Sequence, residues 1–246
     1  MEHQLWFTAL LNRLLGGAVS SVLMRLGPPF APADPAHPIP DYVAMEILAI
    51  VVIITAAIYL KARLSVENPG GFQHVMEVVL EFIRNMADEI IGHHGRRYIA
   101  MIGTLGIFVA LCNLVGLIPG LATPTAHIQV TLGCAVAAFL YYNFHGVREH
   151  GIIGYLKHMA GPMLAIAILM FPIEVIGNIG RLLSLSVRLY ANMLVGDILE
   201  SVFTRIVPVA VPAVFMALHI FVSLLQAYIF MLLPAIYISL AVSEEH

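Results

Sequence analysis

Residues 160–242 form an almost continuously apolar stretch with charged side chains embedded in it, and this feature limits the possible folds of the chain more than any other. Its most polar part, 181-RLLSLSVRLYANM-193, contains Arg181 and Arg188. Because 60% of the residues are hydrophobic, only 11% are charged and the mean hydropathy is +0.92, soluble globular classes are excluded. The sequence predicts an all-α integral membrane protein.

Apolar stretches long enough to cross a bilayer predict about five transmembrane helices. The predicted spans are 43–60, 99–119, 127–146, 161–205 and 213–242, and helical spacing of apolar residues predicts a membrane-surface helix over 70–91. A single helix over 161–205 would be about 67 Å long, twice the hydrocarbon core, so we expect it to tilt, bend or lie partly in the membrane plane. Pro208 and Pro212 are the expected turn into 213–242, which would complete a hairpin.

The chain is expected to divide into an N-terminal segment, 1–41, and one transmembrane domain, 42–246. The first segment predicts an interfacial amphipathic helix and then a proline-rich extracytoplasmic linker. Lys and Arg concentrate after the first and third spans, where they are Lys61, Arg63, Arg84, Arg96, Arg97, Arg148 and Lys157, against Arg13, Arg25 and Arg205 on the other side. The excess predicts an extracytoplasmic N-terminus and a cytoplasmic C-terminus.

Several functional classes are disfavoured by what the sequence contains. The net charge of −3 comes without a basic stripe, so nucleic acid is not an expected partner. Cys112 and Cys134 lack metal-ligand spacing, and the adjacent His93 and His94 would not converge on a metal from a helix. No glycine-rich phosphate-binding loop occurs, so any ATP chemistry belongs to partner chains. We expect no cofactor, no metal and no enzymatic activity from this chain alone.

Polar residues of the last two predicted helices align on narrow faces. On a helix that advances about 100° per residue, one face carries Glu174, Gly177, Arg181, Ser184, Arg188, Asn192 and Val195. The following helix carries a second stripe of His219, Ser223, Gln226 and Tyr237. Two antiparallel helices with facing polar seams can hydrate a path across a bilayer.

Arg188 has no acidic residue three or four positions away, and an arginine at membrane depth costs from about 2.5 to more than 10 kcal/mol. Because guanidinium stays protonated, it can act only as a fixed positive charge that repels a moving proton and keeps a carboxylate ionised. The candidate proton relays are Asp197, His219 and Glu174, with Asn192 and Gln226 as hydrogen-bonding neighbours. A structural role remains open for His219, and so does pairing with Glu174 for Arg181.

These residues, in this order, resemble subunit a of the F-type ATP synthase, the stationary membrane subunit beside the rotating c-ring. The similar segments are 69-PGGFQHVMEVVLEF-82, 113-NLVGLIPGLATPTAHIQVTLGCAVAAF-139, 171-FPIEVIGNIGRLLSLSVRLYANMLVGD-197 and 219-HIFVSLLQAYIFMLLPAIYISLAVSEEH-246. Arg188 matches the family's essential arginine, and Asn192, Asp197, His219, Gln226 and Tyr237 match residues around it. Tyr190, Ala191 and Asp197 depart mildly from the family's usual residues.

The resemblance implies a bacterial inner-membrane protein that carries protons past the c-ring. One aqueous half-channel would open outside near Asp197 and His219, another would open to the cytoplasm near Glu174, and Arg188 would separate them. The implied partners are the c-ring, the peripheral-stalk b subunits, membrane lipid and protons, with Na⁺ not excluded as the ion. The alternatives are a secondary transporter working alone, which would need a solute pocket, and a structural anchor, which would leave Arg188 unexplained.

Overall fold

The computed structural model describes residues 5–26, 37–92, 95–118, 120–160, 164–206 and 210–242. Within these ranges all of the regular secondary structure is helical, and it includes two short 3₁₀ turns at Gly95–Arg97 and Pro124–Ala126. The seven α-helices are α1 Trp6–Leu26, α2 Asp41–Arg63, α3 Gly71–Ile91, α4 Ile99–Val115, α5 Ile128–Ala160, α6 Leu164–Ile206 and α7 Ala210–Val242. The predicted all-α class is therefore confirmed.

The membrane class is supported by the length and composition of these helices. Five of them are long and apolar enough to cross a bilayer: Trp6–Arg25, Asp41–Arg63, Ile128–Tyr155, Leu169–Arg205 and Ala213–Val242. The apolar α4 has 17 residues, about 26 Å at 1.5 Å per residue, and ends four residues before the predicted boundary. Gly116 follows it. The backbone N–H groups of Leu117 and Ile118 then donate hydrogen bonds to the carbonyls of Leu114 and Val115, respectively, and form a turn.

Helices α4 to α7 form the centre of the bundle and enclose its main apolar cluster. Leu105 and Val109 from α4 meet Leu189 and Met193 from α6 and Phe230 from α7, and all five are buried. A second cluster at one end joins α3 to α5 and α7. A third cluster, at the other end, joins α1, the start of α2 and the loop after α4. The main cluster thus has a smaller apolar cluster on either side of it.

α6 and α7 are the long hairpin that the sequence predicts. α6 has 43 residues and would measure about 65 Å, well beyond the thickness of a bilayer core. Pro172 lies inside α6 and Pro234 inside α7. Of the two expected turn residues, Pro212 falls within α7, and Pro208 lies outside the described residues. α5 extends well past residue 146, with a kink at Gly151, where φ is +70°.

α1 is fastened to the segment before α2 by a reciprocal pair of hydrogen bonds. The Asn12 side-chain NH₂ donates to the Ile39 carbonyl, and the Ile39 N–H donates to Asn12 Oδ1, both at 3.0 Å. Thr8 and Asn12 are buried, whereas Trp6 and Leu14 are more than two-thirds exposed. α1 therefore has apolar residues on two sides: Leu11 and Val19 pack against the cluster at the start of α2, whereas Trp6 and Leu14 face outward, as suits a helix in contact with lipid.

Candidate functional site

Arg188 lies exposed on the surface of α6. Its one hydrogen bond joins Nη2 to the Ser184 hydroxyl at 3.5 Å, and no carboxylate of the described residues lies within 4.0 Å of the guanidinium. Its neighbours Leu183 and Val187 are each 50% exposed. Asn192, one turn further on, is partly buried. An unpaired cation therefore sits on an apolar surface of a helix long enough to span a membrane.

Toward the end of α6, two acids approach the loop after α4 and the start of α7. The Thr123 hydroxyl donates to Asp197 Oδ1 at 3.1 Å. His219 Nδ1 lies 3.8 Å from Glu200 Oε2, which is too long for a hydrogen bond and close enough for an ion pair if the histidine is protonated. We call Thr123, Asp197, Glu200 and His219 the Asp197 cluster. It brings together two residues that the sequence predicts and two that it does not.

Three buried polar atoms of α7 lack a hydrogen-bond partner among the described residues. His219 is 5% exposed and Gln226 is 3% exposed. Neither ring nitrogen of His219, nor Oε1 of Gln226, has a hydrogen-bond partner among the described residues. Since buried polar groups are nearly always satisfied, such atoms mark places where a water or an exchanging proton is expected to bind.

A cavity of about 490 Å³ adjoins the Asp197 cluster. Its lining includes Asp197, Glu200 and Arg205 from α6, and Thr123 and His127 from the loop after α4. The His127 ring stacks on Tyr42 at 4.6 Å, and burial lowers the pKa of His127 below its ordinary value of 6.5. That histidine is therefore neutral at pH 7 and adds no positive charge beside the acids.

A buried hydrogen-bonded chain holds the cavity wall against α7. The Thr125 hydroxyl donates to Asn113 Oδ1 at 2.6 Å, and the Asn113 NH₂ donates to the Ser223 carbonyl at 3.2 Å. Asn113, Thr125 and Ser223 are fully buried. The hydroxyl of Ser223 lies 3.9 Å from the Met193 sulfur. These contacts fix the loop that carries Thr123 relative to the helix that carries His219.

The first part of α6 has a different arrangement, which we call the Glu174 cluster. Arg181 Nη2 lies 3.2 Å from Glu174 Oε1, and Arg181 Nη1 donates to Asn178 Oδ1 at 3.2 Å. The Tyr142 hydroxyl also donates to Asn178 Oδ1, at 3.0 Å. The Arg181 guanidinium lies over the Tyr237 ring, 5.7 Å from its centre. The pairing that the sequence left open for Arg181 is thus present in the structure.

The predicted residues fall into three places rather than one. Arg188 and Asn192 lie on α6 between the two clusters, Asp197 and His219 lie in one cluster, and Glu174 lies in the other, with Tyr237 beside it. Sequence reasoning missed Thr123, Asn113, Glu200, Asn178 and Tyr142. Of these, only Asn113 could have been found from the sequence, because a polar residue at the end of an apolar span is a candidate functional residue. The described residues contain no group of three or more His, Cys, Asp or Glu placed to hold a metal ion.

Comparison with known proteins identifies the family. A profile described as ATP synthase A chain matches residues 43–239, well over half of the sequence. The chain belongs to the ATP synthase A chain family. The protein is accordingly a non-catalytic, multi-pass membrane subunit of ATP synthase, in the membrane sector that conducts protons, and other subunits of that complex are its partners. The alternative of a transporter working alone is wrong.

Relatives from bacteria extend the match over the whole chain. ATP synthase subunit a of Koribacter versatilis (strain Ellin345) is 46% identical over 246 residues, covering 100% of both chains. Subunit a of Solibacter usitatus (strain Ellin6076) is 47% identical over 214 residues, 87% of this chain and 92% of the relative. Subunit a 3 of Pelobacter propionicus is 42% identical over 197 residues, 80% of this chain and 86% of the relative. The match to the Koribacter subunit includes residues 1–40, a region in which the sequence analysis found no motif similar to the family.

Proposed function

We propose that this subunit passes protons to and from the c-ring through two aqueous half-channels, with Arg188 as the electrostatic barrier between them. The observation that carries the proposal is the unpaired guanidinium of Arg188 on the surface of α6. A permanent cation at such a position needs a counter-charge from outside the chain. The rotor carboxylates that the family resemblance implies would supply that charge as they pass.

The first half-channel would run through the Asp197 cluster. The cavity of about 490 Å³ gives solvent a route to Asp197 and Glu200. From Glu200, a proton would move to the His219 ring, 3.8 Å away, and then toward Gln226 and the rotor. Histidine suits this step because its charge changes near neutral pH. Asp197, held by Thr123, would set the local negative charge that attracts protons.

The second half-channel would pass the Glu174 cluster, which includes polar side chains from α5, α6 and α7. Asn178 accepts hydrogen bonds from both Tyr142 and Arg181, so its carbonyl and the tyrosine hydroxyl form a connected polar path. Glu174 is partly exposed beside Arg181, so its carboxylate would supply negative charge along the route by which a proton released near Arg188 leaves. Tyr237 lines the same path from α7.

Coupling follows from the charge states on the two sides of Arg188. A rotor carboxylate protonated from the first half-channel is neutral and can turn into lipid. A carboxylate that arrives from the other side meets Arg188, becomes ionised and releases its proton to the second half-channel. The membrane potential supplies about 2.3 kcal/mol per charge per 100 mV, so Arg188 must make direct leakage costlier than a rotor step.

The proposed orientation places the N-terminus and the Asp197 cluster outside the bacterial inner membrane and the Glu174 cluster toward the cytoplasm. The Lys and Arg distribution supports it. In this orientation α1 lies in the outer interface, since its apolar contacts are with Ile39, the start of α2 and the loop after α4. We retain the division of the chain into an N-terminal segment, 1–41, and a transmembrane domain, 42–246. The peripheral-stalk b subunits are proposed as further partners. Protons are the proposed ion, and Na⁺ would need a matching rotor site.

The test compares wild type with Arg188→Ala in vesicles containing the assembled complex. We expect ATP-driven proton pumping to fall by about tenfold or more and passive proton leak to rise, because the barrier charge is gone. Ser184→Ala is the matched control, since it removes only the hydrogen-bond partner of Arg188 and should leave both rates near those of wild type. Subunit content must be equal in all samples. Normal coupled pumping by Arg188→Ala would refute the barrier role.

A further inference from the structure

A groove of about 660 Å³ lies between α2, α4 and α5. Its wall includes Tyr42, Glu46 and Ile50 from α2, Phe108 from α4, and Gln129 from α5. None of its lining residues comes from α6 or α7, so it is separate from the proposed proton path. Its volume falls in the range of small-molecule sites, about 300 to 1,000 Å³. The groove could therefore hold one amphiphilic molecule.

Glu46 is the one charged residue that lines this groove. Its carboxylate is partly buried and forms no hydrogen bond or ion pair with any described residue. The rest of the wall is mostly aliphatic and aromatic. A carboxylate in such surroundings is unfavourable unless a positive charge compensates it. No described residue pairs with Glu46, so a cationic group on a molecule in the groove would supply that compensation.

The depth of Glu46 indicates what kind of molecule this is. Glu46 lies five residues after the start of α2, about 7.5 Å along the helix axis, which places it near the boundary between headgroups and acyl chains. The α2 wall continues from Glu46 to Ile54, a further distance of about 12 Å, close to the hydrocarbon depth of one leaflet. The groove therefore has a polar end at headgroup level and an apolar trough below it.

We propose that the groove binds a phospholipid with a primary ammonium headgroup, of the phosphatidylethanolamine type, from the leaflet that contains the first turn of α2. The ammonium would donate hydrogen bonds to the Glu46 carboxylate, and one acyl chain would occupy the trough beside Ile50 and Phe108. Gln129 and Tyr42 supply further donors at the same end. An anionic headgroup would be repelled by Glu46, and a choline headgroup has no N–H to donate.

The experiment uses the assembled complex in vesicles with a phosphatidylethanolamine that carries a photoreactive group in its acyl chain. In wild type we expect cross-links on peptides from α2, α4 and α5 that line the groove. Unlabelled phosphatidylethanolamine should compete at least about fivefold better than phosphatidylglycerol or phosphatidylcholine, the preference expected from one charge-assisted contact. Digestion and mass spectrometry locate the labelled residues.

Two variants separate the headgroup contact from the trough. Glu46→Gln should keep the cross-links and lose the preference among lipids. Gly133→Leu should lose the cross-links for every lipid, because Gly133 lines the groove, a Cβ there would meet nothing within 4 Å, and the rest of the leucine side chain would then fill the groove. Glu67→Gln, an exposed acid in the loop after α2, is the control and should behave like wild type.

Three results would overturn the proposal. Equal competition by all three lipids in wild type would show that Glu46 does not select the headgroup. An unchanged preference in Glu46→Gln would show that the carboxylate is protonated or not in contact with the lipid. Cross-links on another subunit, with none on the groove peptides, would show that a partner helix covers the groove instead.

Discussion

The two ends of α6 both carry acids, and those acids have opposite surroundings. Glu174 has a guanidinium 3.2 Å away, and its partner Arg181 is held further by Asn178 and the ring of Tyr237. At the other end, neither Asp197 nor Glu200 has a Lys or Arg of the described residues within 4.0 Å. The acids there adjoin a cavity and a buried histidine instead.

The difference shows how one residue type can serve two tasks on one helix. A carboxylate paired with arginine stays ionised and stays in place, so it contributes a fixed charge and a structural contact. A carboxylate without a fixed cation, beside a cavity and a histidine, can gain and lose a proton. We therefore expect the Asp197 cluster to control proton flux more strongly, and the Glu174 cluster to contribute more to stability.

The largest expected effect comes from removing one acid at each end. Asp197→Asn should lower ATP-driven pumping by about tenfold or more, because the amide removes the negative charge that is proposed to attract protons to Glu200 and His219. Glu174→Gln should lower pumping by about twofold or less and reduce the melting temperature of the complex, because Arg181 loses its ion pair.

Both quantities are measured on the same preparations, pumping by quenching of a pH-sensitive dye in vesicles and melting by a thermal shift of the purified complex. The comparison fails if Glu174→Gln reduces pumping as strongly as Asp197→Asn while the complex melts normally.

A smaller effect is expected at Gly196, whose backbone packs against the His219 ring. A Cβ at this position would lie 2.9 Å from Cε1 and 3.0 Å from Nε2 of His219, so the ring must move. We expect Gly196→Ala to lower pumping by about three- to tenfold, as a displaced relay group loses its proton-transfer geometry.

Gly133→Ala is the control for Gly196→Ala, because it adds the same methyl group to a helical glycine with nothing within 4 Å. Its pumping should equal that of wild type. Full pumping by Gly196→Ala, with the assembled complex present in normal amount, would remove His219 from the proposed path.

The smallest expected effect tests the ion pair itself. Arg181 and Glu174 are 31% and 36% exposed, so solvent screens their attraction, and we expect a coupling of about 0.5–1 kcal/mol. Arg181→Gln and Glu174→Gln should each lower the melting temperature of the complex, and the double variant should melt close to the single variants. Strictly additive decreases would mean that the two side chains do not stabilise each other.

Most of the fold could be predicted from the sequence, because the length of each apolar segment and the helical spacing of its apolar residues determine where the helices lie. α2 and α3 begin and end within about three residues of their predicted bounds, and α6 and α7 form the expected hairpin. The end of α5 was not predictable in the same way, since residues 147–160 are more polar and their helix depends on contacts such as that of buried Tyr155 with Asn143.

The candidate site was only partly readable from the sequence. Helical periodicity finds side chains that share a face of one helix, so it found Arg188, Asn192 and the stripe of α7. It cannot find contacts between distant segments. Thr123 meets Asp197 across 74 positions, and Asn113 meets Ser223 across 110. Asn178 was missed because it does not fall on the Arg188 stripe, although it binds both Tyr142 and Arg181.

The exposure of Arg188 also bears on how the complex is put together. In the proposed mechanism, before the rotor is in place, the guanidinium would face lipid with the Ser184 hydroxyl as its one partner among the described residues. On insertion scales an arginine at the centre of a bilayer costs about 2.5–3.5 kcal/mol. In the proposed mechanism, docking of the rotor would remove that penalty by bringing a carboxylate to the surface. The charge that is proposed to separate the two proton routes would then make the unassembled subunit the less stable state, and would favour its insertion together with, or after, the rotor.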